Sequence, residues 1–152
     1  MSGTYFLSPN DWLGIIFRLC LALLVGAIIG WERQIREKPA GLRTNILVSF
    51  GSALFVLVPL QISAEQQSAE ALSRAIQGIV TGVGFIGAGT ILHDSQSQVQ
   101  PVKVRGLTTA AAIWVSAALG TAAGCGLWQM ALFGAVLSLV VLQVFKKVEN
   151  HG

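Results

Sequence analysis

Five long apolar stretches, separated by short polar segments, constrain this 152-residue chain more than any other feature. The helices they predict cover about 13–30, 42–60, 74–92, 108–126 and 127–145. Each approaches the ~20 residues that cross ~30 Å of hydrocarbon at 1.5 Å per residue. Lipid offers backbone groups no hydrogen-bond partner, so runs of this length in a bilayer must be helical. The composition agrees: 53% of the residues are hydrophobic and 11% charged. A soluble domain of this size leaves too much of its chain exposed to hide that surface. The expected fold class is therefore an all-α membrane protein with five transmembrane helices. A single transmembrane domain over 1–152, with no soluble C-terminal domain, is expected.

Charge gives the orientation. Residues 1–12 carry no Lys or Arg, whereas the first loop holds Arg33, Arg36, Lys38 and Arg43. The second loop has Glu65 and Glu70 and no basic residue; the third has Lys103 and Arg105, and the tail Lys146 and Lys147. Basic residues in alternate loops place loops one and three and the C-terminus in the cytoplasm and the N-terminus outside. The same pattern accounts for the net charge of +3 without nucleic acid as a partner. The first span follows no basic residue and ends in GWERQIREK, a stop-transfer flank rather than a cleavage site. Cys20 and Cys125 lie at different depths and read as small apolar fillers rather than a disulfide.

The third stretch contains TGVGFIGAGTILHD (81–94), in which Gly82, Gly84 and Gly87 spell G-x-G-x-x-G. A dinucleotide-binding fingerprint follows a strand, opens a helix and has an acidic residue ~20 positions on. Here the glycines sit inside an apolar run, and no Asp or Glu occurs from Ser95 to Val148. Membrane helices associate through small residues, which let backbones approach closely. Gly78, Gly82 and Gly89 fall near one helical face, widened by Gly84 and Gly87. The first helix has Gly26 and Gly30, the fourth Gly120 and Gly124. These nine glycines are the expected helix-packing surface, with a narrow pathway as the alternative. Helices three and four are then expected to be central, and the Leu- and Val-rich fifth to face lipid.

Ionisable groups within spans are functional candidates. Arg18 lies about 8 Å below the outer surface by helical rise; it either snorkels outward or pairs with Asp11, Glu65 or Glu70. With Arg74 and Gln77 it is expected to form an outer-side polar cluster. At the inner side, beside Arg33, Glu32 and Arg43 flank the first loop and either pair across it or mark a solvated boundary. Helix two begins AGLRTN (40–45) and helix four RGLTTA (105–110). In each, Gly41 or Gly106 precedes hydroxyls, Thr44 or Thr108 and Thr109, suited to capping a helix N-terminus. With Asn45 they form a cytoplasmic-side motif whose alternative use is anion binding. Arg18 precedes Gly30 by 12 residues and Arg74 precedes Gly87 by 13. Helices 1–2 and 3–4 are thus expected to be parallel repeats about an axis normal to the membrane. No P-loop, no Ser/His/Asp set and no carboxylate suited to a divalent cation occurs within a span, and His93–Asp94 has poor ligand spacing. No catalytic residue, metal or cofactor is expected.

The segments GWERQ…AGLRTNILVSFGSALF, QGIVTGVGFIGAGTIL and VRGLTTAAAIWVSAALGTAAGCG resemble the successive signatures of the MgtC/SapB family of bacterial inner-membrane proteins, over roughly residues 15–145. Matching positions are Arg18, Gly30, Glu32, Arg33, Gly41, Arg43, Thr44 and Gly51. They continue with Arg74, Gln77, Gly82, Gly84, Phe85, Gly87 and Gly89, and then Gly106, Leu107, Thr108, Thr109, Trp114 and Gly120. One departure is Ala71, where many members carry Asp, with Glu70 beside it. The resemblance implies five spans with an external N-terminus and a role in magnesium limitation and acid adaptation. It implies a non-enzymatic regulator that binds other membrane proteins, such as the ATP synthase, or a further copy of itself as a homo-oligomer. A small transporter or channel for Mg²⁺ or another solute is the alternative.

Overall fold

A computed structural model describes the backbone of residues 11–62, 65–95 and 106–149. It contains α1 (Trp12–Ile35), α2 (Leu42–Ile62), α3 (Glu65–Ser95), α4 (Leu107–Gly124) and α5 (Trp128–Glu149), with no strand among the described residues. Four helices carry stretches long and apolar enough to cross a membrane: Trp12–Ile35, Leu42–Ile62, Ala69–Leu92 and Leu107–Gly124. The apolar part of α5, Trp128–Val144, is shorter. The chain is an all-helical, multi-pass membrane protein. The N-terminal segment, Lys103, Arg105 and His151 lie outside the described residues, as do the side chains of Glu65, His93, Asp94, Lys146 and Lys147.

Local chemistry sets the helix ends. The Asp11 carboxylate accepts the Gly14 N–H at 2.9 Å and starts α1. At the far end Lys38 N–H reaches the Arg33 carbonyl and Glu37 N–H the Gln34 carbonyl, both at 3.1 Å. This Schellman closure puts Glu37 in the left-handed region, φ 52°. The end of α4 closes in the same way on Gly126, φ 79°: Leu127 N–H bonds the Ala122 carbonyl at 2.9 Å and Gly126 N–H the Ala123 carbonyl at 3.0 Å.

Packing centres on α2, which lies between α1 and α4. Glycines bring the three backbones together, as membrane helices require in the absence of a hydrophobic drive. A Cβ on Gly26 of α1 would lie 2.8 Å from both the Asn45 carbonyl oxygen and Ser49 Cβ, and one on Gly30 2.8 Å from Leu42 Cα. From the other side, a Cβ on Gly120 of α4 would sit 2.6 Å from the Ser49 Cα and carbonyl carbon, and one on Gly124 2.8 Å from Ala53 Cα. Ala22, Val25, Ile29, Ala53, Val56, Ile113 and Ala123 fill the space between and are fully buried.

The other two helices are peripheral, which corrects the expectation that α3 is central. Only 17% of the α3 apolar stretch is buried, against 56% for α4. Ile79, Val83 and Gly87 are its buried positions; a Cβ on Gly87 would be 3.5 Å from Ala110 Cβ. Nothing lies within 4 Å of a Cβ built on Gly78, Gly82, Gly84 or Gly89, so these four glycines do not pack within the chain. The α5 helix docks through Ala131 and Ala135, both fully buried, and shows Phe133, Val136, Leu137, Val140 and Val141 outward.

Gly120→Ala is expected to lower stability by about 1–3 kcal/mol through overpacking. Gly82→Ala, which meets nothing, is expected to be neutral or stabilising by up to about 1 kcal/mol through helix propensity. Unfolding of the two variants in SDS measures the difference.

Candidate functional site

Most of the polar groups that the apolar helices bury gather at the end of the α1–α2–α4 core that carries Glu32 and Arg33. Asn45, fully buried, donates from Nδ2 to the Ala40 carbonyl at 3.0 Å and the Gly41 carbonyl at 2.8 Å. Its Oδ1 accepts from Ser116 Oγ at 2.8 Å. One amide thus ties the α1–α2 connection to α4. One turn deeper, Ser49 Oγ donates to the Ala22 carbonyl at 2.7 Å and ties α2 to α1. A buried polar group without such partners is costly, so each bond fixes a helix register.

Below Asn45 lie the charges. Arg33, 3% exposed, donates from Nη2 to Thr109 Oγ1 at 3.4 Å. Its Nη1 stands 3.7 Å from the buried Glu32 carboxylate, which also meets Arg36 Nε one turn along the same helix. Glu32 is therefore neutralised by its own helix. Arg43 is exposed, so the Glu32–Arg43 pair across the loop is replaced by pairs within α1, where i,i+4 spacing brings the side chains together. A carboxylate held between two guanidinium groups is a poor ligand for a divalent cation.

The expected capping by hydroxyls is also corrected at α4. Gly106, φ 86°, occupies the cap position with no side-chain cap bond. A Cβ there would lie 3.0 Å from the Thr90 carbonyl oxygen at the end of α3, so conformation and space both call for glycine. Thr108 is exposed and Thr109 turns inward to Arg33. Thr44 is half-buried in the first turn of α2.

At the opposite end, Arg18 is 5% exposed and does not snorkel outward. Its Nη1 donates to the Gly124 carbonyl at 3.0 Å. The Schellman turn at Gly126 leaves that carbonyl without an intrahelical partner, and the helix C-terminus carries partial negative charge that favours a cation. Gly126 is tight here too, since a Cβ would meet Arg18 Nη2 at 2.8 Å. Arg74 and Gln77 are not part of this arrangement. Arg74 bonds Glu70 at 2.7 Å on an exposed face, and Gln77 Nε2 lies 3.4 Å from Ser73 Oγ. The expected outer-side cluster thus resolves into separate local bonds. Ser49, Ser116, Arg36 and Gly126 are the contributors that sequence reasoning missed. The signals for the last three were a hydroxyl four residues before Gly120, an i,i+4 pair with Glu32, and a glycine just past the last apolar turn of α4.

The second feature is the outer face of α3. Gly78, Gly82, Phe85 and Gly89 recur at steps of four, three and four, which is one face of a helix. Phe85 is 83% exposed among glycines whose Cβ space is empty. Gly78 and Gly82 of this face also line an apolar groove of about 610 Å³ between α2 and α3, together with Gly51, Phe55 and Ile86. Among the described residues no group of three or more His, Cys, Asp or Glu side chains comes together, and Cys20 and Cys125 are both free.

Comparison with known proteins gives one consistent result. The sequence model of the MgtC family matches residues 19–151. SrpB of Synechococcus elongatus is 51% identical over 149 residues, 95% of this chain and 82% of its own length. YhiD of Escherichia coli K12, which bears a provisional name as a magnesium transporter, is 46% identical over 88% of this chain and 61% of its own. MgtC of Salmonella typhimurium is 42% identical over 82% of this chain. The chain thus spans about half the length of MgtC (49%). No solved structure matches.

Arg18→Leu is expected to cost about 1–3 kcal/mol, because the buried Gly124 carbonyl loses its partner. Arg74→Leu removes an exposed pair worth about 0–1 kcal/mol. Unfolding in SDS ranks the two variants.

Proposed function

Since the chain belongs to the MgtC family, we propose that it is a non-enzymatic inner-membrane protein that acts in magnesium limitation or acid adaptation by binding and modulating other membrane proteins. The ATP synthase is among the partners the family resemblance implies, and a further copy of this chain is another. The magnesium connection rests on the names of relatives such as YhiD. In this proposal all five helices span the bilayer, with the N-terminus outside and the basic loops in the cytoplasm.

One observation carries the docking role. The chain uses Gly26, Gly30, Gly120 and Gly124 to bring its own backbones together, yet leaves Gly78, Gly82, Gly84 and Gly89 facing outward with nothing against them. A glycine in a helix costs about 1 kcal/mol relative to alanine, and lipid gains nothing from contact with bare backbone. A partner helix does gain, because it can approach closely and pack around Phe85. The outward face of α5 is by contrast built of Phe, Leu and Val, the ordinary surface of a lipid-facing helix.

The repeat relation of α1–α2 to α3–α4 belongs to the same proposal. A Cβ on Gly30 of α1 would lie 3.2 Å from Asn45 Cβ across the first hairpin, and one on Gly87 of α3 would lie 3.5 Å from Ala110 Cβ across the second. Asn45 and Ala110 lie four residues after Gly41 and Gly106 respectively. The second hairpin is then the opened copy, with its outer glycines left for a partner.

Gentle purification of the tagged protein from membranes grown with scarce magnesium tests the proposal. The wild type is expected to bring down ATP synthase membrane subunits or another defined membrane complex. The double variant Gly82→Leu/Gly89→Leu is expected to insert normally and lose that complex. Retention of the complex by the double variant would contradict docking on α3. A defined self-oligomer with no other protein would favour a self-contained transporter instead.

A further inference from the structure

A second groove, of about 500 Å³, opens between α1 and α5. Its origin lies in α5, where Ala131, Ala135, Leu139 and Gln143 recur at every fourth residue and so share one face. Ala131 and Ala135 are fully buried, Leu139 is half-buried and Gln143 is exposed. Burial thus falls along this face from Ala131 to Gln143. Leu24, Ala27 and Ile28 of α1 and Leu139 of α5 make the apolar wall; Glu32, Arg36 and Gln143 line the polar end.

The polar end has a specific electrostatic state. Arg36 Nε forms an ion pair with the Glu32 carboxylate, which is 5% exposed, while its own side chain remains 24% exposed. Among the described residues Glu32 is the sole side-chain partner of Arg36. Among the described residues the N–H donors on its two terminal nitrogens meet no partner, and they have the fork geometry that matches a phosphate. Arg33 shares the same carboxylate. Two guanidinium charges against one carboxylate leave one positive charge at the membrane boundary. One phosphodiester balances it.

The dimensions agree. From Leu24 to Arg36 the groove follows twelve residues of α1, roughly 18 Å by helical rise. One leaflet of a ~30 Å hydrocarbon core is half that core, roughly 15 Å. Basic pockets between transmembrane helices are a recurrent form of lipid headgroup site. We propose that this groove holds one acyl chain of a membrane phospholipid whose phosphate is bound by the Arg36 guanidinium. Gln143 supplies an amide donor to the same headgroup, and Glu32 acts as a positioning residue that holds the guanidinium at the groove's end.

The test uses the full chain, purified in mild detergent and titrated with phosphatidylglycerol or with diacylglycerol carrying the same acyl chains; bound lipid is counted by native mass spectrometry. The wild type is expected to retain one phosphatidylglycerol and to bind it about tenfold more tightly than the diacylglycerol. Arg36→Gln keeps an amide donor for Glu32 but removes the cationic fork, and is expected to abolish that preference. Ala27→Phe fills the apolar wall and is expected to weaken both lipids while the helix content stays unchanged by circular dichroism. Equal binding of the two lipids by the wild type overturns the proposal. So does undiminished phosphatidylglycerol binding by both variants, or a lipid-free dimer as the main species.

Discussion

The structure depends on one constraint: at Ser49 three helix backbones pass closer than side chains allow. Gly26 approaches Ser49 from α1 and Gly120 approaches it from α4, each at a distance that a methyl group would forbid. In water such a crossing would be driven by apolar burial. In lipid, where hydrocarbon surrounds every helix, it must come from close packing and from hydrogen bonds made across the gap. Ser49 supplies both, since its own hydroxyl bonds the Ala22 carbonyl. Asn45 and Ser116 repeat the device one turn away.

Once α1, α2 and α4 are locked, the positions of the other groups follow. Arg18 can be buried because the end of α4 presents it with an orphan carbonyl at the negative end of a helix. Arg33 can be buried because Glu32 and Thr109 meet it. The two arginines therefore bracket the core at its two ends, and both serve the packing of α4. What the core does not use is left outward: the glycines of α3, and the groove between α1 and α5. A rigid three-helix centre with two peripheral helices is a fitting scaffold for contacts with other membrane components, because those contacts form without disturbing the buried bonds.

Much of this was legible in the sequence, and the failures have a common cause. Helix number and approximate extent follow from the length of apolar runs, which is a property of single segments. The packing role of Gly26, Gly30, Gly120 and Gly124 reads equally well from their spacing. The same spacing in α3 misleads, because small-residue periodicity marks a surface fit for close approach and is silent on which helix approaches. Expected charge pairs failed for a similar reason. Glu32 had two arginines on its own helix within reach, and local pairs form before pairs across a loop. Arg18 donates to a backbone carbonyl, that of Gly124, a partner that no side-chain inventory contains. Glu37 in the left-handed region gave no signal at all, since glycine is the residue that usually marks such a turn.

The central claim is that α3 presents a docking face and α5 a lipid face. A photo-reactive amino acid placed at Phe85 on α3, or at Phe133 on α5, tests it inside living cells; both positions are strongly exposed, at 83% and 70%. The account predicts a discrete protein adduct from position 85 and only lipid adducts from position 133. Lipid adducts alone from position 85, or the same protein adduct from both positions, would contradict it.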